Sequence, residues 1–245
     1  MRSNDLWLYV SYFFLALFWL PAYFFIIRRG FKDRSYGMPI VAMLGNWPWE
    51  WMFGLNIYSA CPLAWENCPQ LFVQLANLAA ALLDSLIVYT ILRFGREQFK
   101  HKAHIYKYFY PLFIFGLVSS AAIQYTFIGE IGFPNVYGLA QNGQVPPFLA
   151  GDEGGSYSAY VLTFLMGILF ILMLWERGNL EGQSFWIALT MTLGNVAAFV
   201  FLLLVGPASG LLWVLFILTV VVNVVYMVMT YQKSLELGFN PWTRF

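Results

Sequence analysis

The chain reads as an all-α, polytopic membrane protein of seven transmembrane helices, its N-terminus outside or lumenal and its C-terminus cytosolic. Three observations predict this. First, 60% of the 245 residues are hydrophobic and only 10% are charged, against about 25% charged in a soluble domain. That leaves too little polar surface to cover a water-soluble globule. Second, the apolar residues fall in blocks near the length of roughly 20 residues that crosses about 30 Å of hydrocarbon at about 1.5 Å per residue. Third, the basic residues gather in alternate connections. The net charge of +1 gives a nucleic-acid partner no electrostatic support.

The blocks run 6–27, 39–59, 71–92, 108–128, 157–175, 184–205 and 211–231. The first is too long for a cleavable signal, and no small-x-small site follows it before Arg28. The second is unusual in carrying a glutamate. Between the fourth and fifth lies 129–156, rich in Gly and Pro, with Pro146-Pro147 and Gly154-Gly155; it suits a lid or cap better than a linker. No separate soluble domain is indicated, so residues 1–245 form one transmembrane unit, integral to the endoplasmic reticulum in a eukaryote or to the plasma membrane in a bacterium.

Orientation follows from charge. With the first connection inside, Arg28, Arg29, Lys32, Arg34, Arg93, Arg96, Lys100, Lys102, Lys107, Arg177, Lys233 and Arg244 all share the cytosolic side, and only Arg2 is left outside. Cys61 and Cys68 then share an outer connection, where disulfides are permitted. Their spacing is compatible with a small disulfide-closed ring or with two free thiols.

A charge in hydrocarbon is costly, so an intramembrane acid is a functional candidate. The blocks hold two, Glu50 and Asp84, while every Lys and Arg lies in a connection or at a helix end. Neither acid has a basic partner at its depth. Each is expected to carry its proton at least part of the time, since burial disfavours the charged form. One face of the second helix reads Asn46, Trp49, Glu50, Phe53 and Gly54, at i, i+3 and i+4 spacing. Asn46 is placed to hydrogen-bond the carboxyl, Trp49 and Phe53 to wall it, and Trp47 and Trp51 to point away. The third helix carries a polar seam of Gln70, Gln74, Asn77 and Asp84, and the seventh aligns Phe216, Thr219, Asn223, Tyr226 and Thr230. By depth, Glu50 (about 15 Å from the outer side) and Asp84 and Asn223 (about 18–20 Å) share a layer between helices two, three and seven. Structural roles weigh against this. Asn and Thr in membrane helices are mostly interhelical glue, which is the stronger reading for Asn77, Thr219 and Asn195, and aromatics mostly pack or form interface belts.

Four stretches resemble the small membrane-bound terpene cyclases of meroterpenoid and indole-diterpene biosynthesis. They are Tyr36-Gly37-Met38-Pro39 leading to Asn46 and Trp49-Glu50; Leu83-Asp84 with Ile87-Val88-Tyr89 and Arg93-Phe94-Gly95; Arg177-Gly178 with Gly182 and Ser184; and a polar residue three before Tyr226. The resemblance implies a seven-helix fold and a lipophilic prenylated substrate entering from the bilayer. It implies no cofactor. In that family the second-helix glutamate and a seventh-helix aspartate are linked to catalysis. Glu50 carries over, but Asn223 stands where the aspartate is expected, leaving Asp84 as the second candidate acid. Asn46, Trp49, Phe53, Asn77, Phe216, Asn223 and Tyr226 are then the candidate substrate-binding residues. The implied chemistry is protonation of a prenyl epoxide or alkene by a neutral carboxylic acid. Aromatic faces would steady the travelling cation at roughly 0.5–2 kcal/mol each. No DDxxD or DxDD motif is present, so neither Mg²⁺ nor diphosphate ionisation is expected.

The alternative is a transporter or channel using Glu50 and Asp84 as a proton relay. Pro69-Gln70 faintly resembles the PQ-loop carriers, but the first three helices do not repeat in the last three, as such carriers require. A retinal protein needs a lysine midway along the last helix, and Lys233 lies beyond its end. A non-catalytic scaffold would follow only if Asn223 marked lost chemistry. His101 and His104 sit in a basic connection without an acidic or thiol partner nearby, which argues against a metal site.

Overall fold

Seven helices follow from the apolar blocks in a computed structural model that describes residues 3–58, 68–132, 153–205 and 208–245. They are α1 (Ser3–Asp33), α2 (Ile40–Gly54), α3 (Gln70–Thr90), α4 (Ala103–Gly132), α5 (Glu153–Arg177), α6 (Phe185–Val205) and α7 (Gly210–Glu236). No strand occurs among the described residues. α3 runs on through a π-helical turn, Ile91–Gly95, into a short helical turn, Arg96–Gln98.

Six of the seven are long and apolar enough to cross a bilayer. The exception is α2, whose 15 residues reach only about 22 Å, so it is shorter than the 39–59 block predicts. At its last residue, Gly54, a β-carbon would lie 3.0 Å from the Leu78 Cα; the end of α2 is pressed onto the backbone of α3. Asn56, at φ 56°, then turns the chain out of the helix. α4 starts earlier than predicted and kinks at Tyr108 (φ −105°, ψ 18°), three residues before Pro111. The proline ring has no N–H to bond the carbonyl four residues back, which frees that turn. Ser209 caps α7 by accepting from the Leu212 N–H at 3.2 Å, satisfying one of its orphan donors.

The packing order closes into a ring: α1 on α3, α3 on α2, α2 on α5, α5 on α7, α7 on α6 and α6 back on α1. α4 lies outside this ring against α2 and α5, and it presents Ile114, Phe115, Val118 and Ile123 outward. With no polar face to solvate, those side chains suit lipid. The main core draws on all seven helices, around Ala22, Ile26, Met43, Ile87, Phe113, Phe170, Met191 and Tyr226.

The basic end of the ring explains two of the sequence motifs. Arg29, only 1% exposed, pairs with Asp33, and Asp33 also accepts from the Gly182 N–H at 2.8 Å and from Arg244 at 3.3 Å. Gly182 sits at φ +72°, and a β-carbon there would come within 2.4 Å of the Tyr36 carbonyl oxygen. Glycine alone fits. Arg177 lies over the Tyr36 ring at 4.1 Å and donates to the Tyr36 carbonyl at 3.1 Å. The Tyr36-Gly37 and Arg177…Gly182 stretches are thus two halves of one contact. Cys68 is disulfide-bonded; Cys61 lies outside the described residues, as does most of the 129–156 connection expected to form a lid.

Candidate active site

Pro48 and the tryptophans of Trp47-Pro48-Trp49-Glu50-Trp51 lie within α2, whose buried face carries Asn46, Glu50 and Phe53 into the ring. Trp47 turns aside, donating from its indole N–H to the Ser85 hydroxyl at 2.8 Å. Trp49 and Phe53 face inward with ring centroids 4.3 Å apart, and Trp49 is fixed by donating to the Ser158 hydroxyl on α5 at 2.9 Å. The Gln124 amide on α4 donates to the Gly45 carbonyl at 2.8 Å, steadying α2 from outside.

Glu50 is 7% exposed and Asp84 fully buried. They are joined by a hydrogen-bonded chain. The Tyr23 hydroxyl on α1 donates to Glu50 Oε1 at 2.8 Å; Asn46 Nδ2 donates to the Tyr23 hydroxyl at 3.2 Å and to Asp84 Oδ2 at 2.7 Å. Asn46 therefore does not bond the Glu50 carboxyl directly, as its place one helical turn away suggests; Tyr23 is interposed. Glu50 Oε2 and Asp84 Oδ1 are buried with no hydrogen-bond partner.

Above this chain lies a cavity of about 200 Å³. Its walls come from α1 (Tyr12, Leu15, Ala16, Trp19, Leu20, Tyr23), α2 (Asn46, Trp49, Glu50, Phe53), α3 (Ala76, Asn77, Ala80), α5 (Ser156, Ala159, Tyr160, Leu162, Thr163) and α6 (Asn195, Ala198, Phe201, Leu202). Most of its surface is apolar or aromatic, and its few polar groups include one carboxyl, that of Glu50. A neutral carboxylic acid facing aromatic rings can give up a proton and leave a cation among electron-rich faces.

Of the residues singled out in the sequence, Asn46, Trp49, Glu50, Phe53 and Asn77 line this cavity. Asp84 does not, and reaches it only through Asn46. The expectation of one layer shared by helices two, three and seven is corrected, because α7 packs on α5 and α6 and none of its residues lines the cavity. Phe216 stacks on Phe199 at 3.9 Å and meets Tyr160 edge-on, one layer behind the wall. Asn223 is 1% exposed against Gly167 of α5, with both side-chain polar atoms unpartnered. Tyr226 donates to Gln183 Oε1 at 3.0 Å and packs on Phe170. Depth along a helix places residues in a layer but does not say which helices are neighbours.

The lining residues that sequence reasoning missed lie on α5 and α6, Tyr160 and Phe201 among them, and above all on α1. Tyr12, Ala16, Trp19 and Tyr23 recur at i, i+4, i+7 and i+11, one helical face. That stripe was visible, but it holds no acid or amide to mark it.

No solved structure matches this chain. Among curated relatives, the Pyr4-family terpene cyclase mfmH of Annulohypoxylon moriforme is 28% identical over 184 residues, covering 75% of this chain and 64% of its own. The terpene cyclase macJ of Penicillium terrestre is 26% identical over 75% of this chain and 61% of its own. The terpene cyclase ascF of Acremonium egyptiacum is 25% identical over 73% and 60%. The chain thus spans less than two thirds of the length of these relatives. The family described as Pyr4-like transmembrane terpene cyclases matches residues 7–234, nearly the whole ring of helices and every residue of the Glu50–Tyr23–Asn46–Asp84 chain, and the protein belongs to that family.

Proposed function

We propose that this protein is a membrane-bound terpene cyclase that protonates a prenyl epoxide or alkene with Glu50 and guides the resulting carbocation through ring closure in the cavity between α1, α2, α3, α5 and α6. The substrate is a lipophilic prenylated small molecule of the meroterpenoid type. The observation that carries this reading is a buried carboxyl with one unpartnered oxygen, set in the wall of an aromatic-lined cavity. Trp19, Trp49, Phe53, Tyr160 and Phe201 supply the aromatic faces, and the apolar walls limit quenching by water. Relatives named as cyclases favour this over the transporter alternative.

The basic residues support an orientation with the N-terminus outside or lumenal and the C-terminus cytosolic, in the endoplasmic reticulum of a eukaryote or the plasma membrane of a bacterium.

The test is turnover of prenylated aromatic epoxides by membranes carrying the wild-type chain or Glu50→Gln. Glutamine keeps the shape and can accept from Tyr23, but it has no acidic proton to give. Folded Glu50→Gln protein is expected to lose at least about 10²-fold in rate, the usual size of a general-acid contribution. Wild-type turnover by that variant would remove the proposal.

A further inference from the structure

Tyr23 is the only residue that hydrogen-bonds Glu50 among the described residues. It is 3% exposed, and its hydroxyl meets two polar partners, Asn46 Nδ2 and Glu50 Oε1. Asn46 Nδ2 has two hydrogens and spends both, one on Asp84 Oδ2 at 2.7 Å and one on the Tyr23 hydroxyl at 3.2 Å. The tyrosine therefore accepts from Asn46 and gives its single hydrogen to Glu50 Oε1 at 2.8 Å.

We infer that Tyr23 is the positioning residue of this site: by donating to Oε1 it confines the acid proton of Glu50 to Oε2, the oxygen that no protein group bonds. The inference rests on the proposed role of Glu50 as the acid. An oxygen already accepting the phenolic hydrogen along that line cannot also direct its own proton there, so Oε1 is the carbonyl oxygen and Oε2 carries the hydroxyl. Asp84 anchors the polarity of the whole chain by holding the second hydrogen of Asn46.

The consequence for the reaction is specific. When the Oε2–H bond breaks, the proton goes to the epoxide oxygen or alkene carbon and the electron pair stays on Oε2. Glu50 becomes a carboxylate, and the Tyr23–Oε1 hydrogen bond becomes charge-assisted, hence stronger. Tyr23 thus stabilises the state after proton transfer more than the state before it, which lowers the barrier. A residue that only packed α1 against α2 would do neither.

Two measurements test this, one independent of any substrate. In infrared spectra of the purified protein in lipid nanodiscs, the protonated-carboxyl band of Glu50 is identified by its loss in Glu50→Gln. Because Oε1 is the hydrogen-bonded carbonyl, Tyr23→Phe is expected to move that band to higher frequency. Replacing Tyr23 with 3-fluorotyrosine, nearly isosteric and a stronger donor, is expected to move it lower, and this variant serves if the phenylalanine protein does not fold. If the chain has the opposite polarity, with Glu50 donating to Tyr23, the fluorinated phenol is the weaker acceptor and 3-fluorotyrosine moves the band higher instead of lower. That result overturns the inference, as does the absence of any band lost in Glu50→Gln, which would mean an ionised carboxyl. In turnover of a prenylated aromatic epoxide, Tyr23→Phe is expected to lower kcat by about 10- to 10²-fold with KM within about twofold. Unchanged kcat overturns the catalytic part. If the band moves as expected but the wild-type protein turns over neither a prenyl epoxide nor a prenyl alkene, the proton assignment stands and the cyclase reading falls.

Discussion

Asp84 touches the cavity only through Asn46, whose amide donates to its Oδ2, so it is placed differently from Glu50 although both are buried carboxyls. Asp84→Asn keeps an acceptor for Asn46 and is expected to cost roughly tenfold in rate or less, the size of one weakened hydrogen bond. A loss equal to that of Glu50→Gln would make Asp84 the second acid that Asn223 does not supply. Asp84→Leu removes the acceptor and leaves a buried amide hydrogen unpaired. Thermal unfolding in detergent should show a destabilisation of about 1–3 kcal/mol. Asn223 is a different case. Its carboxamide abuts Gly167, where a β-carbon would lie 2.6 Å from Oδ1 and 2.8 Å from Val222 Cγ1. Gly167→Ala should therefore force α5 and α7 apart and destabilise by about 1–3 kcal/mol, again read by thermal unfolding, with the α1–α2 chain intact.

Single helices owe their placement to contacts at their ends. The end of α1 is held by Asp33, which gathers Arg29, Arg244 and the Gly182 N–H. The chain's last residues close over the same end: the Trp186 indole donates to the Trp242 carbonyl at 2.9 Å, Trp242 packs on Phe185, and Arg28 lies over the Phe245 ring. Asp33→Ala leaves the buried Arg29 guanidinium without its carboxylate. Breaking a buried pair from one side costs about 3–5 kcal/mol, and the melting temperature in detergent should fall accordingly. A shift no larger than that of an exposed substitution would mean that Arg29 reaches water. α3 illustrates the converse. Its polar seam is spent on packing: Gln74 donates to the Gly54 carbonyl at the end of α2 and Gln70 to Asn56 in the turn that follows, while Asn77 donates to the Val73 carbonyl of its own helix. The seam reads as a possible pocket lining, yet only Asn77 among these three reaches the cavity.

At the scale of the molecule, the asymmetry of Lys and Arg predicts which end faces the cytosol. Thiols introduced by Lys32→Cys in the last turn of α1 and Lys100→Cys in the turn before α4, both exposed positions, should react with a membrane-impermeant reagent only after the membrane is opened. Labelling in sealed vesicles from the extracytoplasmic side would reverse the proposed orientation. The ring of helices also places the cavity beside α1 and α6 and leaves α4 on the rim.

By itself the sequence determined the class of the protein, because composition and block length answer to the bilayer's thickness and to its lack of hydrogen-bonding partners. It also singled out the candidate acid, since an unpaired carboxyl in an apolar block is costly enough to stand out without any structure. The family was legible too, from motifs such as Tyr36-Gly37 and Arg177…Gly182 that prove to be two sides of one close contact. Only the tertiary structure decided which helices surround Glu50. A stripe at helical spacing looks the same whether it faces a cavity or a neighbouring glycine, so Asn223 against Gly167 and Asn46 beside Glu50 could not be told apart from spacing alone. The place of Tyr23 was hidden for the same reason. Its hydroxyl lies 27 residues from Glu50 along the chain, and what joins them is the packing of α1 into a ring that no local pattern encodes.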